Sequence, residues 1–123
     1  MTNADHHLKT ILVVDDEESI AEVLTAVLEA EGYRVVTASN GSEGLECLGQ
    51  HRPVLALIDV MMPILDGTGM LQAMKRDPEH SKIPVLMMSA AHGNNLPAPV
   101  PFMRKPFELD ALLGTIGGLI GTP

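Results

Sequence analysis

The chain has no tryptophan, one tyrosine and two phenylalanines, so aromatic residues fill only 2% of its 123 positions. A core must therefore be packed from Val, Leu, Ile, Met and Ala, and a hydrophobic content of 46% supplies them. Cys47 is the single cysteine. No intramolecular disulfide can form, which excludes a stapled secreted scaffold and fits a reducing, cytoplasmic location. Basic residues are scarce: 8 Lys and Arg stand against 16 Asp and Glu, for a net charge of −8. That balance speaks against nucleic acid as a direct partner, because phosphate backbones are held by Lys and Arg. The acidic surface serves either solubility or a cation site. No apolar run approaches the ~20 residues of a membrane span. The opening "MTNADHHLKT" lacks the apolar segment of a signal peptide. Residues 1–8 read as a flexible polar tail, His6 and His7 included, and the rest as one domain over 9–121.

What is present is an alternation. "TILVV" ends in acids and has the length and β-branching of a buried strand. Ile20, Val23, Leu24, Val27 and Leu28 then repeat at helical spacing, and Gly32 is the stop. "YRVVTAS", "VLALID", "IPVLMMSA" and "VPFM" read as further strands. Helices are expected in "NGSEGLECLGQ", with Ser42 or Asn40 as cap, in "GTGMLQAMKRD", closed by Asp77-Pro78, and in "FELDALLGTIGGLIG". Short apolar strands alternating with helices call for a parallel sheet covered on both faces. Ligands bind such sheets at the carboxyl ends of the strands. The polar residues gather at those ends: Asp15 and Asp16 after strand one, Asp59 after strand three, Ser89 after strand four, Lys105 after strand five.

Each has an ordinary alternative. Asp15 and Asp16 would serve as helix caps, Ser89 as a turn residue, and Asp59 as a buried acid satisfied by Lys105. Together they do more. Clustered carboxylates repel and raise one another's pKa unless a cation intervenes. An all-oxygen set with room for water and phosphate suits Mg²⁺. A carboxylate is also a competent nucleophile toward phosphorus. On a phosphorylated Asp59, the metal, the Lys105 ammonium and the Ser89 hydroxyl would each meet one charged oxygen. No Ser-His-Asp triad and no Gly-rich phosphate loop competes with this reading.

The motifs "VVDDEE" (13–18), "LIDVMMPILDG" (57–67), "LMMSA" (86–90) and "KPF" (105–107), in this order, resemble the receiver domain of two-component response regulators. The resemblance runs from about Lys9 to Ile120. It implies a flavodoxin-like, doubly wound sheet of five parallel strands in the order 2-1-3-4-5. It also implies a phosphoacceptor, Asp59, supplied by a histidine kinase or a histidine phosphotransfer protein, with output through a downstream protein target. By the same resemblance Asp16 would bind Mg²⁺ directly, Asp15 largely through water, and Asp59 and the Met61 carbonyl would complete the protein ligands. Ser89 and Lys105 would contact the phosphoryl group, Phe102 would be the aromatic switch partner of Ser89, and Lys105-Pro106 would be a cis bond.

The chain departs from the family between Ser89 and Lys105, which lie closer together than is usual. "AAHGNNLPAPVP" has turn-forming asparagines and three alternate prolines. The helix that should join strands four and five is thus expected to be absent or reduced, leaving Leu96 and Val100 less covered. Because that face usually mediates pairing, a monomer or weak dimer is expected. In the last helix, Gly114, Gly117, Gly118 and Gly121 suggest a frayed end or close helix approach. No output domain is expected within the chain. The alternative function is a degenerate receiver acting as an interaction module without phosphorylation. An aspartate-nucleophile phosphatase is disfavoured, since the second acid such enzymes carry two residues on is Met61.

Overall fold

The computed structural model describes residues 8–90 and 100–123. Five parallel strands form one sheet in the order β2-β1-β3-β4-β5: β1 Thr10–Val14, β2 Arg34–Ala38, β3 Leu55–Asp59, β4 Val85–Ser89 and β5 Phe102–Arg104. Among the described residues four α-helices flank it: α1 Glu18–Ala30, α2 Gly41–His51, α3 Gly67–Arg76 and α4 Leu109–Ile120. A short 3-10 turn, His80–Lys82, leads into β4. Residues 1–7 and 91–99 lie outside the described residues. So does most of the tail, and so do Leu96 and the segment where a shortened helix was expected. Val100 is half-buried against the core rather than exposed.

The reason the strands read as unbroken apolar runs is visible in their packing. Alternate side chains leave opposite faces of the sheet, and here both faces are covered. Ile11, Val13, Leu55, Leu57, Leu86 and Met88 meet Leu24 and Leu28 of α1 and Leu112 and Ile116 of α4. Leu12, Val14, Ala56, Ile58, Val85 and Met87 meet Leu48 of α2 and Met70, Leu71 and Met74 of α3. All five residues of β3 and of β4 are buried. Methionine fills this core, as the shortage of aromatics required: Met70, Met74, Met87 and Met88 are at most 1% exposed.

Helix ends follow local chemistry. Of the two caps proposed for α2 it is Asn40 that serves, its side chain accepting from the Glu43 amide at 2.9 Å. The Glu43 carboxylate reaches back to accept from the Ser39 amide and hydroxyl. Gly32 takes a positive φ of 105° just past α1, where a side chain would be strained. One expectation fails in α1: Val23 is 52% exposed, and the inward stripe is Ala21, Leu24 and Leu28. In α4, a Cβ at Gly114, Gly117 or Gly118 would find nothing within 4 Å, so these glycines serve no close helix approach among the described residues. The last turn has hydrogen-bond partners of its own. The Lys9 ammonium donates to the carbonyls of Ile120 (2.9 Å) and Thr122 (2.7 Å), and the Tyr33 hydroxyl donates to Gly121 (3.2 Å). A cation there also complements the helix dipole.

Candidate functional site

Strand register brings the singled-out polar residues to one edge. Val14 lies opposite Ile58, so Asp15 and Asp59 leave the sheet at one level. Asp59 lies opposite Met88, and Ser89 opposite Arg104, directly before Lys105. Backbone hydrogen bonds continue the ladder beyond the strands: Asp15 N–H donates to Ala38 (3.0 Å), Val60 N–H to Met88 (2.8 Å) and Lys105 N–H to Ser89 (2.8 Å). Each of these three backbone positions is thus held by a neighbour strand.

One carboxylate oxygen from each of Asp15, Asp16 and Asp59 lies within 4.8 Å of the others. Asp15 and Asp59 are 2% and 5% exposed, while Asp16 faces solvent. Three acidic oxygens at this spacing, two of them removed from water, match the donor set of a hard divalent cation. Lys105 is the countercharge present in the protein itself, and it is shared unequally. Its ammonium lies 2.7 Å from Asp15 and 3.5 Å from Asp59. The reading of Asp59 as an acid satisfied by Lys105 is therefore incomplete, because the closer partner is Asp15. The helix-cap alternative also fails in its simple form: α1 begins at Glu18 with Glu17 as cap, although Asp15 does accept from the Glu17 amide at 2.9 Å.

The electrostatic consequence falls on Asp59. Burial pushes its pKa up to about 6, the nearby charges of Asp15 and Asp16 add to the rise, and Lys105 only partly opposes it. Lys105 is itself raised: burial works against its charge, but the hydrogen bond to Asp15 and the charges of Asp59, Asp15 and Glu17 outweigh that. Near neutrality the acid is ionised and the amine charged. The site then holds a buried carboxylate beside a fixed cation.

The other singled-out residues surround this centre. Ser89, at the end of β4, is 1% exposed. Phe102 opens β5 opposite Met87 and is half-buried against the core on the α2–α3 side. The Lys105–Pro106 bond is cis. Met61 is 66% exposed on the loop after β3. That loop turns sharply: Leu65 N–H donates to Pro63 at 2.7 Å across Ile64, whose φ is 68°. This matches the rarer, positive-φ form of the γ-turn, which is strained for a β-branched residue. Beside Lys105, between α1 and α4, a cavity of about 350 Å³ is lined by Ile20, Val23, Leu24, Phe107 and Leu109. Two features escaped the sequence reading. The preference of Lys105 for Asp15 depends on distances no spacing reveals. Gly41, which abuts the loop, had only its place before "SEG" to mark it.

Residues 11–116 match the response regulator receiver domain. Response regulator GtcR of Aneurinibacillus migulanus is 42% identical over 107 residues, which cover 81% of this chain and 43% of that protein. The alkaline phosphatase synthesis transcriptional regulatory protein PhoP of Bacillus subtilis is 44% identical over 82 residues, 67% of this chain and 33% of that one. The chain thus spans about a third to a half of the length of the curated relatives it matches. Among solved structures, it is similar to the receiver domain of a sensor histidine kinase from Pseudomonas aeruginosa, with a magnesium ion coordinated in that protein's active site cleft. The TM-score is 0.85 at 25% identity, covering 94% of this chain and 99% of the other. A putative response regulator from Chloroflexus aurantiacus aligns with a TM-score of 0.81 at 28% identity, over 92% and 98% of the two chains.

Proposed function

Because the chain belongs to the response regulator receiver domain family of two-component signalling, we propose that it is a Mg²⁺-dependent phosphoacceptor modified on Asp59. The observation that carries this reading is the convergence of Asp15, Asp16, Asp59 and Lys105 at the carboxyl ends of adjacent parallel strands. Asp16, Asp59, the Met61 carbonyl and, through water, Asp15 would hold the metal, which supplies charge neutralisation for the transferring phosphoryl group. The remaining work belongs to the chain. Asp59, ionised above a pKa of about 6, attacks phosphorus; an O–P bond forms as the bond to the donor's histidine nitrogen breaks, and the leaving imidazole keeps the electron pair and takes a proton from solvent. Lys105 moves its donor bonds from Asp15 to a phosphoryl oxygen, as a charge-assisted pair. Ser89 donates to another oxygen, and Phe102 repacks behind it. The protein is not an enzyme acting on a separate substrate; transfer to Asp59 and its later hydrolysis are self-catalysed.

The donor is a histidine kinase or a phosphotransfer protein, and the output is contact with a downstream protein. From the family and the single cysteine we assign the chain to the cytoplasm; separately, no described helix is long and apolar enough to cross a membrane. Incubation with acetyl phosphate and Mg²⁺, followed by intact-mass measurement, tests the reading. One phosphoryl adduct is expected on the wild type and none on Asp59→Asn. Absence of the adduct from the wild type, or its full retention in the variant, would overturn it.

A further inference from the structure

The loop from Val60 to Asp66, which carries Met61, is closed on itself by two hydrogen bonds: Gly67 N–H to Val60 (2.9 Å) and Leu65 N–H to Pro63 (2.7 Å). A third bond ties it to a different element. Leu65 presents its carbonyl to the N–H of Gly41, the first residue of α2, at 2.8 Å. A Cβ on Gly41 would lie 2.6 Å from that carbonyl oxygen and 3.0 and 3.1 Å from two carbons of the Leu65 side chain. Contacts this close to backbone force one partner to move. Gly41 is itself fixed from behind. Asn40 is 5% exposed and caps α2 through Glu43, and Glu43 holds Ser39. One residue earlier, the Ala38 carbonyl accepts from the Asp15 amide at 3.0 Å.

The segment 38–43 therefore has one backbone bond to Asp15 and another to the loop of Met61. These are the two sides of the acidic cluster. We propose that this junction is the spacer that sets the width of the cation site, and that Gly41 is its positioning residue. By allowing contact with Leu65, Gly41 draws the Met61 loop to a fixed distance from Asp15 and Asp16. It touches neither metal nor phosphoryl group and acts through Leu65. The metal part of this inference rests on the function proposed above; the loop part does not.

Three glycines of one helix provide the test. Gly41→Ala crowds the loop. Gly49→Ala has nothing within 4 Å, and Gly44→Ala meets the Met70 thioether at 2.8 Å and Val14 at 3.1 Å, in the core rather than at the loop. For each variant of this 123-residue chain, Mg²⁺ affinity is measured by titration calorimetry, the amide resonances of residues 61–65 by NMR, and the melting temperature by circular dichroism. Gly41→Ala is expected to weaken Mg²⁺ binding by about tenfold, the size seen when groups that orient metal ligands are altered, and to shift the loop amides. Gly44→Ala is expected to lower the melting temperature with Mg²⁺ affinity unchanged, and Gly49→Ala to leave both affinity and loop amides unchanged. Wild-type affinity and unshifted loop amides in folded Gly41→Ala would overturn the proposal, and so would an equal loss of affinity in Gly44→Ala. If Gly41→Ala does not fold, Asn40→Ala, which removes the cap bond without crowding, must shift the same loop amides or the proposal fails. A wild type that binds no Mg²⁺ would instead defeat the proposed function, and the loop resonances would still decide the role of Gly41.

Discussion

Gly41 and Gly67 stand where one added methyl group would collide with Asp59 or the loop that follows it, whereas Gly114, Gly117 and Gly118 of α4 face space with no described residue within 4 Å. The same residue type thus reports opposite circumstances at two places in the helical shell. At the strand ends, helix starts are pressed onto the loop after Asp59, and glycine is what the packing leaves room for. In α4 the described residues give no packing reason for glycine. That helix is held by Leu112 and Ile116, both fully buried, and by the Lys9 and Tyr33 bonds at its end. Close packing at glycine and buried charge are concentrated around Asp59, and by that measure the last helix is packed less tightly at its glycines.

The largest effect that could break this contrast is expected at Gly67. A Cβ there would fall on the Asp59 carbonyl oxygen and 2.9 Å from the Val60 Cα, and rigid backbone cannot yield as a side chain does. Gly67→Ala should cost about 3 kcal/mol, the upper part of the usual range for overpacking, in urea unfolding. The fraction that remains folded should accept phosphate from acetyl phosphate more slowly. A cost below about 0.5 kcal/mol, the scale of a neutral surface change, would mean that the loop is as slack as α4.

Next in size is the charge of Asp59. Its folded-state pKa of about 6 lies above the ordinary 3.8, so folding favours the protonated acid. The stability this contributes is full below about pH 4 and is lost as pH rises through 6. At pH 7 without Mg²⁺ the ionised carboxylate is therefore a net burden, and Asp59→Asn should stabilise the protein by about 2 kcal/mol, taking 1.4 kcal/mol per pKa unit and allowing for relaxation. The gain should shrink toward pH 4 and narrow when Mg²⁺ is added to the wild type. Melting temperatures of both proteins between pH 4 and 7.5 measure it. A gain that does not vary with pH would show that the burial of Asp59 carries no electrostatic cost.

Where the sequence was legible, the cause was local. A strand buried on both faces is an unbroken apolar run, and β3 and β4 were readable for that reason. Because parallel strands end on one edge, Asp15, Asp59, Ser89 and Lys105 could be gathered from their positions alone. What remained unreadable depends on contacts distant along the chain. Gly41 meets Leu65 only in the folded molecule, and Lys105 chooses Asp15 over Asp59 by less than 1 Å. Val23 fitted the helical stripe of α1, yet the cavity beside Lys105 leaves it open. The end of α2 lacked the usual glycine: Arg52, just before Pro53, takes the left-handed cap conformation, φ 47°, that glycine usually occupies.

Lys9 sharpens the α4 side of the contrast. Its ammonium bonds two carbonyls at the helix end, so Lys9→Met should cost about 1 kcal/mol, typical of a hydrogen bond aided by charge at a helix terminus. Amide exchange at Gly117 to Gly121 should quicken while the amides of β3 do not. Equal acceleration in both would mean that α4 is not an independently slack element.

The smallest effect has the opposite sign. Gly114, Gly117 and Gly118 lie in helix interior with no described neighbour for a Cβ to strike, and Ala is favoured over Gly there by up to about 1 kcal/mol. Each Gly→Ala change in α4 should therefore raise stability by about 0.5–1 kcal/mol, with Mg²⁺ affinity and phosphorylation rate unchanged. Such a gain at all three positions, beside a loss at Gly67, would establish that crowding and not glycine content separates the two regions. A stabilised α4 that also slowed phosphorylation would instead tie the looseness of this helix to the site, since Lys105 and the start of α4 are only four residues apart.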